Sequence, residues 1–324
     1  MPTSERNPLV HGSNLEQKEH HRTKYRSDDD LKYLQEIRTE YDQWHRANMA
    51  LIGPMSKPSQ TDEEVINERV QLLSAYKDFL DQQHYAEAFD SRSNLHSSVL
   101  EEFLYYLFKD IVNDFGKHAL IGKSHTFKDI FFVPPRYAEM LKRPYGRIER
   151  KDHDFVIGAT IQASFEAATP PEQDETPGEQ QLVLKEEPET YNAVTVSGNI
   201  ETHIFDIPAV VIECKTYLDK TMLEGSSRAA EDLKARNPNS LYIVAMEWIK
   251  LTSAVNLRKY KVDQIYVLRQ QKNTDREFRY AEDYLKNPIN PQVVWHLFNT
   301  VRRHLTADWT SGIEFGIQRG WLID

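Results

Sequence analysis

The sequence predicts an α/β fold, a mixed sheet flanked by helices, with an N-terminal helical hairpin in front of it. Three observations carry this. Strand-like runs at Asp154–Phe165 and Ile207–Thr216 are followed by shorter ones at Leu241–Ala245 and Gln264–Leu268. Segments with helical spacing stand before, between and after these runs. Finally, Ala209-Val210-Val211-Ile212 is an unbroken apolar stretch, the mark of a strand covered on both faces.

Along the chain, residues 1–28 are polar, charged and aperiodic, and read as a disordered tail. From Asp29 to Leu51, the residues Leu31, Leu34, Ile37, Tyr41 and Trp44 recur at helical spacing behind an acidic start. Pro54 and Pro58 break the chain. Thr61-Asp62-Glu63-Glu64 then opens a second helix with an apolar stripe of Val65, Val70, Leu73, Tyr76, Phe79 and Leu80. Together the two helices make a hairpin, a helical N-terminal subdomain over 29–90, and the main domain follows over 91–324. It begins with a helix at Ser97–Phe115 bearing Leu100, Leu104, Leu107, Phe108 and Ile111. A mixed stretch follows it. Residues 166–190, rich in Pro, Glu, Gln and Thr, read as a flexible insertion. Strand character returns at Tyr191–Val196. A helix at Lys220–Arg236 is closed by Asn237-Pro238-Asn239, and a last helix spans Pro291–Leu305.

The 324 residues are 40% hydrophobic, enough for a large core, and carry a net charge of -10, which excludes a general electrostatic binder of nucleic acid. One local exception is the basic run Arg136, Lys142, Arg143, Arg147, Arg150 and Lys151, interleaved with Tyr137 and Tyr145. No apolar run approaches the roughly 18 residues of a membrane span, and the start lacks the apolar core of a secretory signal. A single cysteine, Cys214, fits a reducing compartment. The expectation is a cytoplasmic protein. Phosphate-loop, dinucleotide and paired-cysteine motifs are absent, so nucleotide and zinc functions have no support.

The chemistry concentrates at Glu213-Cys214-Lys215, where the buried strand ends. Side chains alternate along a strand, so Glu213 and Lys215 share one face and Cys214 points the other way. An acid and a base side by side at the end of a buried strand are costly unless they meet a metal or each other. E-x-K triplets alone are common, and this chain has two more, at Glu16-Gln17-Lys18 and Glu149-Arg150-Lys151. Only Glu213 has an apolar strand leading directly into it. Asp154 heads the preceding apolar run, which Gly158 closes, and is the best source of a second acid. Asp152, two residues earlier on the same face, is its rival.

Asp154-Phe155-Val156-Ile157-Gly158 and Val211-Ile212-Glu213-Cys214-Lys215, with Leu100-Glu101-Glu102-Phe103-Leu104 before them and Leu241-Tyr242-Ile243-Val244-Ala245 after, resemble the PD-(D/E)xK nucleases. The resemblance covers about residues 91–270 and implies a restriction-endonuclease-like core. Two departures stand out: His153 replaces the usual proline, and the gap from Asp154 to Glu213 is long. Chain size and periphery look most like a type II restriction endonuclease. The run ECKTYLDKTM, Glu213–Met222, is similar to a group that cuts asymmetric sites as heterodimers. A repair or recombination nuclease of the same superfamily, or a non-catalytic DNA-binding protein with this fold, are the alternatives.

Carried over, the resemblance implies that Asp154 and Glu213 ligate Mg²⁺, with the backbone carbonyl of Cys214 as a further ligand. Lys215 then orients or deprotonates the attacking water and counters charge on the phosphate. Glu101, or its neighbour Glu102, holds a second metal or a water. Lys220 and Arg228, on the following helix, are candidates for DNA contact. Double-stranded DNA is the implied substrate, a homo- or heterodimer the implied assembly, and a cognate methyltransferase the implied companion.

Overall fold

A computed structural model describes residues 8–89, 94–131 except 117, 147–165, 201–272 and 281–309 except 282 and 308, with 317 and 318. The expected insertion at 166–190, the strand at Tyr191–Val196 and the basic residues from Arg136 to Tyr145 lie outside these residues. The elements are α1 (Val10–Glu19), α2 (Asp28–Ala50), α3 (Asp62–Leu80), α4 (Gln83–Ala88) and α5 (Leu95–Asn113). They continue with β1 (Ala119–Phe131), β2 (Arg147–Phe165), β3 (Glu201–Leu218), α6 (Lys220–Lys234), β4 (Leu241–Ile249), β5 (Gln264–Lys272) and α7 (Pro291–Thr306).

The five strands form one sheet in the order β1-β2-β3-β4-β5. β1, β2 and β3 pair antiparallel, while β3, β4 and β5 run parallel, so the sheet is mixed as expected. A parallel step needs a crossover, and α6 supplies the one from β3 to β4. Alternation then sorts the side chains of the central strands. Phe155, Ile157, Val210, Ile212, Ile243 and Ala245 join a core with α1–α5 and α7. Val156, Val211, Tyr242, Val244 and Met246 join a second core under α6. The α2 and α3 side chains expected of a separate subdomain belong to the same cluster as the sheet.

The helix starts follow from local chemistry. Ser27 caps α2, its Oγ accepting from the Asp30 amide at 3.0 Å, and Asp28, Asp29 and Asp30 complement the positive end of the helix. Asp219 caps α6 in the same way through the Met222 amide, at 2.8 Å. At Gly158, β2 and β3 come so close that a Cβ would stand 2.1 Å from the Ile207 carbonyl oxygen, which only glycine avoids.

The structure corrects one expectation and adds one strand. Residues 10–19 of the supposed tail form α1, seated on the core. Leu15 is fully buried, and the His11 ring bonds Ser98 Oγ at 3.0 Å and the Tyr76 hydroxyl at 2.7 Å. Hydropathy misses this helix because only one aliphatic side chain seats it and polar contacts do the rest. The mixed stretch after α5 contains strand β1. Its buried positions after Leu120 are Gly122, Ser124 and Thr126, so the alternation is real but not apolar. No described helix is long and apolar enough to cross a membrane.

Candidate active site

The site lies where the sheet forks. β2 and β3 pair from Phe165↔Glu201 as far as Phe155↔Ile212 and no further. Beyond that rung β2 continues against β1, from Ser124↔His153 outward, and β3 continues against β4, from Glu213↔Val244. Asp154 and Glu213 are therefore the first residues past the last rung, one on each arm. On the β1 side, Lys123 alone faces both Asp154 and Phe155, a bulge of the kind that re-aims side chains next to active sites.

Lys215 joins the arms. Its Nζ donates to Asp154 Oδ2 at 3.0 Å and stands 2.9 Å from Glu213 Oε2. The Cys214 amide also donates to Asp154 Oδ2, at 3.0 Å. Tyr242 donates its hydroxyl to Glu213 Oε1 at 2.6 Å, and His153 Nδ1 lies 4.0 Å from the same oxygen. These side chains are largely withdrawn from water: 28% of Asp154, 14% of Glu213 and 26% of Lys215 remain exposed.

Charge follows from this packing. Burial pushes the Glu213 carboxyl up, but His153, the Lys215 ammonium and the Tyr242 hydroxyl together hold it well below the usual range. Burial disfavours the Lys215 charge, yet Asp154 and Glu213 override it and hold the ammonium above its ordinary range. Burial pushes the Cys214 thiol up, and the surrounding carboxylates add to that. Behind the fork, burial and then the charge of Asp154 push the Glu101 carboxyl up to about 7, against Lys123 and Lys215. Glu101 Oε2 is buried and has no hydrogen-bond partner among the described residues.

This donor set fits a divalent cation. Two hard oxygen donors already share a cation, the Lys215 ammonium, and a third carboxylate nearby has a buried oxygen left unsatisfied. Among the described residues no three acidic, imidazole or thiol side chains stand close enough together to hold a metal ion as they are.

The rivals separate cleanly. Glu102 is fully buried on the far side of α5, accepting from Tyr41, Tyr106 and the Gly12 amide, and does not face the fork. Asp152 lies out on the β1–β2 arm, 68% exposed and paired with His125. Lys220 is exposed and faces Glu224 at 3.7 Å, and Arg228 is exposed on α6. Sequence reasoning gave no role to Tyr242 or Lys123. A tyrosine inside a uniformly buried strand carries no sign of where its hydroxyl points.

Asp154 and Glu213-x-Lys215 at a forked mixed sheet, with a helix glutamate behind them, match the arrangement expected of the PD-(D/E)xK nuclease class. Within it the chain belongs to the Bpu10I restriction endonuclease family, whose sequence profile matches residues 92–322. It is a type II restriction endonuclease, a hydrolase acting on DNA. In fold it is similar to a chain from a low-resolution structure of the native BbvCI A2B2 tetramer, at 20% identity and a TM-score of 0.61, covering 92% of this chain and 95% of that one. No curated protein sequence matches the chain significantly. Enzymes of this kind generally work with a divalent metal.

Proposed function

We propose that this chain hydrolyses phosphodiester bonds of double-stranded DNA at a specific sequence, using Mg²⁺ held at the β2–β3 fork. The observation that carries the reading is the convergence of Asp154 and Glu213, from two strands that have just parted, on the single amine of Lys215. Asp154 and Glu213 would be the ligands, with the Cys214 carbonyl as a third. Glu101 would hold either a second ion or a water through its unsatisfied Oε2. A divalent ion held there neutralises phosphate charge and makes water acidic enough to supply a nucleophile at neutral pH.

The residues of the chain do the rest. Lys215, whose amine is paired with both carboxylates in the metal-free protein, orients or deprotonates the attacking water and counters negative charge developing on the phosphate. Asp154 is itself positioned by the Cys214 amide. A duplex backbone would reach the carboxylates where the two arms part. Lys220 and Arg228, exposed on the helix that follows β3, are placed to contact phosphate.

The BbvCI neighbour assembles as an A2B2 tetramer. That supports reading this chain as one subunit of a dimer, homo- or heteromeric, because cutting two strands calls for two such sites. A cytoplasmic enzyme of this kind also requires a cognate methyltransferase to protect the host's own sites. Digestion of plasmid DNA, with the chain alone and with any partner subunit co-expressed, tests the reading. The expected result is discrete fragments with Mg²⁺, none with EDTA, and none with Asp154→Asn or Glu213→Gln. Cleavage that survives either substitution, or that gives no discrete fragments, contradicts it.

A further inference from the structure

We propose that Tyr242 is a positioning residue for the metal site, its hydroxyl locking the Glu213 carboxylate so that Oε2 is presented to the fork. The inference rests on reading the fork as a metal site. It begins in the sheet register. Val211 pairs with Tyr242 in the parallel β3–β4 ladder, so the Tyr242 side chain lies on the face shared by Val211 and Glu213, one strand over. The hydroxyl then reaches forward to Glu213 Oε1 at 2.6 Å. The two carboxylate oxygens are thereby given different tasks. Oε1 is tied to the sheet, and Oε2 faces Lys215 at 2.9 Å.

Tyr242 is itself fixed. Its ring is fully buried in the cluster under α6, with Leu218, Val244 and Met246. Its amide donates to Asp263 Oδ2 at 2.7 Å, and its carbonyl accepts from the Asp263 amide at 2.8 Å. His153 closes the other side, its ring 6.0 Å from that of Tyr242 and edge-on to it at 76°. Among the described residues the buried His153 Nδ1 has no hydrogen-bond partner and stands 4.0 Å from Oε1, whereas the Tyr242 hydroxyl holds that oxygen at 2.6 Å. Partners of this kind orient ligating carboxylates, and their loss costs about 10–100-fold in metal affinity.

The test is Tyr242→Phe, which removes one oxygen and keeps the ring. Tyr266→Phe is the control, because Tyr266 is also buried and bonds His296 Nδ1 at 2.9 Å and Thr300 Oγ1 at 3.0 Å, away from the fork. Mn²⁺ binding to the free protein is read from the loss of the free-ion EPR signal, alongside thermal unfolding and the Mg²⁺ dependence of cleavage. Tyr242→Phe is expected to weaken Mn²⁺ binding about tenfold or more. It should raise the Mg²⁺ concentration for half-maximal cleavage in parallel and leave DNA affinity in EDTA unchanged. Tyr266→Phe should do neither. In a Glu213→Gln background, Tyr242→Phe should have no further effect on Mn²⁺, since it acts through Glu213. Wild-type Mn²⁺ affinity in Tyr242→Phe, or an equal loss in Tyr266→Phe, overturns the inference. If Glu213→Gln binds Mn²⁺ like the wild type, the metal reading itself falls and this inference with it. Should Tyr242→Phe not fold, the same comparison is made with His153→Phe, which removes the other neighbour of Oε1. A tenfold loss there, equal to that of Glu213→Gln, would assign the role to His153 and overturn the proposal for Tyr242.

Discussion

Two adjacent glutamates on α5 serve two polar clusters, and the clusters differ in one respect. Glu102 sits in the helical layer with every nearby donor aimed at it: the Tyr41 hydroxyl at 2.9 Å, the Tyr106 hydroxyl at 2.5 Å and the Gly12 amide at 3.0 Å. Glu101, one residue earlier, faces the fork with a buried oxygen that no described residue satisfies. Buried carboxylates are expensive, and a fold normally completes their hydrogen bonds. The Glu102 cluster is complete and holds α1, α2 and α5 together. The fork is incomplete, and its unmet valence is what suits it to a metal and a phosphate.

The largest expected effect separates chemistry from architecture. Asp154→Asn and Glu213→Gln should each lower the cleavage rate by about 1000-fold or more, since several kcal/mol of charge stabilisation is lost. Each substitution also removes one of the two carboxylates paired with Lys215, so the melting temperature should fall modestly while the protein stays folded. Activity lost only through unfolding at the assay temperature would place these residues in the fold instead of the site. On the other side, Leu15→Ala should cost about 2–5 kcal/mol by denaturant titration, as for a fully buried leucine. Cleavage per folded molecule should be unchanged. A neutral result would return α1 to the status of a loose tail.

The paired glutamates sharpen the contrast. Glu102→Gln, which weakens hydrogen bonds to a buried charge, should cost about 2–3 kcal/mol while sparing catalysis. Glu101→Gln should do the reverse. Its carboxyl is raised from the ordinary 4.5 to about 7, so the folded protein retains a proton that the unfolded chain has released. Metal-free stability is therefore full below about pH 4.5, falls as pH rises to about 7, and stays lower above. The span is about 3 kcal/mol. In EDTA, wild type and Glu101→Gln should diverge across that window, with the variant the more stable at pH 8. Parallel pH curves would show that Glu101 is satisfied after all.

How much of this the sequence reveals depends on whether burial and polarity agree. Asp154, Glu213 and Lys215 stand out because apolar strands run straight into them. α2, α3, α5, α6 and α7 are legible for the same reason, their buried stripes being apolar. Where buried positions are polar or small, the signal vanishes. β1 buries Gly122, Ser124 and Thr126, and α1 is seated through His11 and Gly12. Glu101 and Glu102 are indistinguishable in sequence, since what separates them is whether donors from α1 and α2 reach them. The bulge at Asp154 and Phe155, which opens the fork, is a property of pairing and not of either residue.

The smallest expected effect lies at the surface. Lys220→Ala and Arg228→Ala should each weaken DNA binding only a few-fold and reduce the salt slope of the affinity by about 1, with no change in the metal requirement. A specific loss at one base position would instead make either residue part of sequence readout.

The central claim, that the fork is built for a divalent ion, is tested most directly by diffusing Mn²⁺ into crystals of the protein and recording anomalous scattering. The expected result is a peak about 2.1 Å from a carboxylate oxygen of both Asp154 and Glu213, with the Lys215 amine displaced from between them. Ions bound only elsewhere, with Lys215 still bridging the two carboxylates in an enzyme that cleaves DNA, would contradict it.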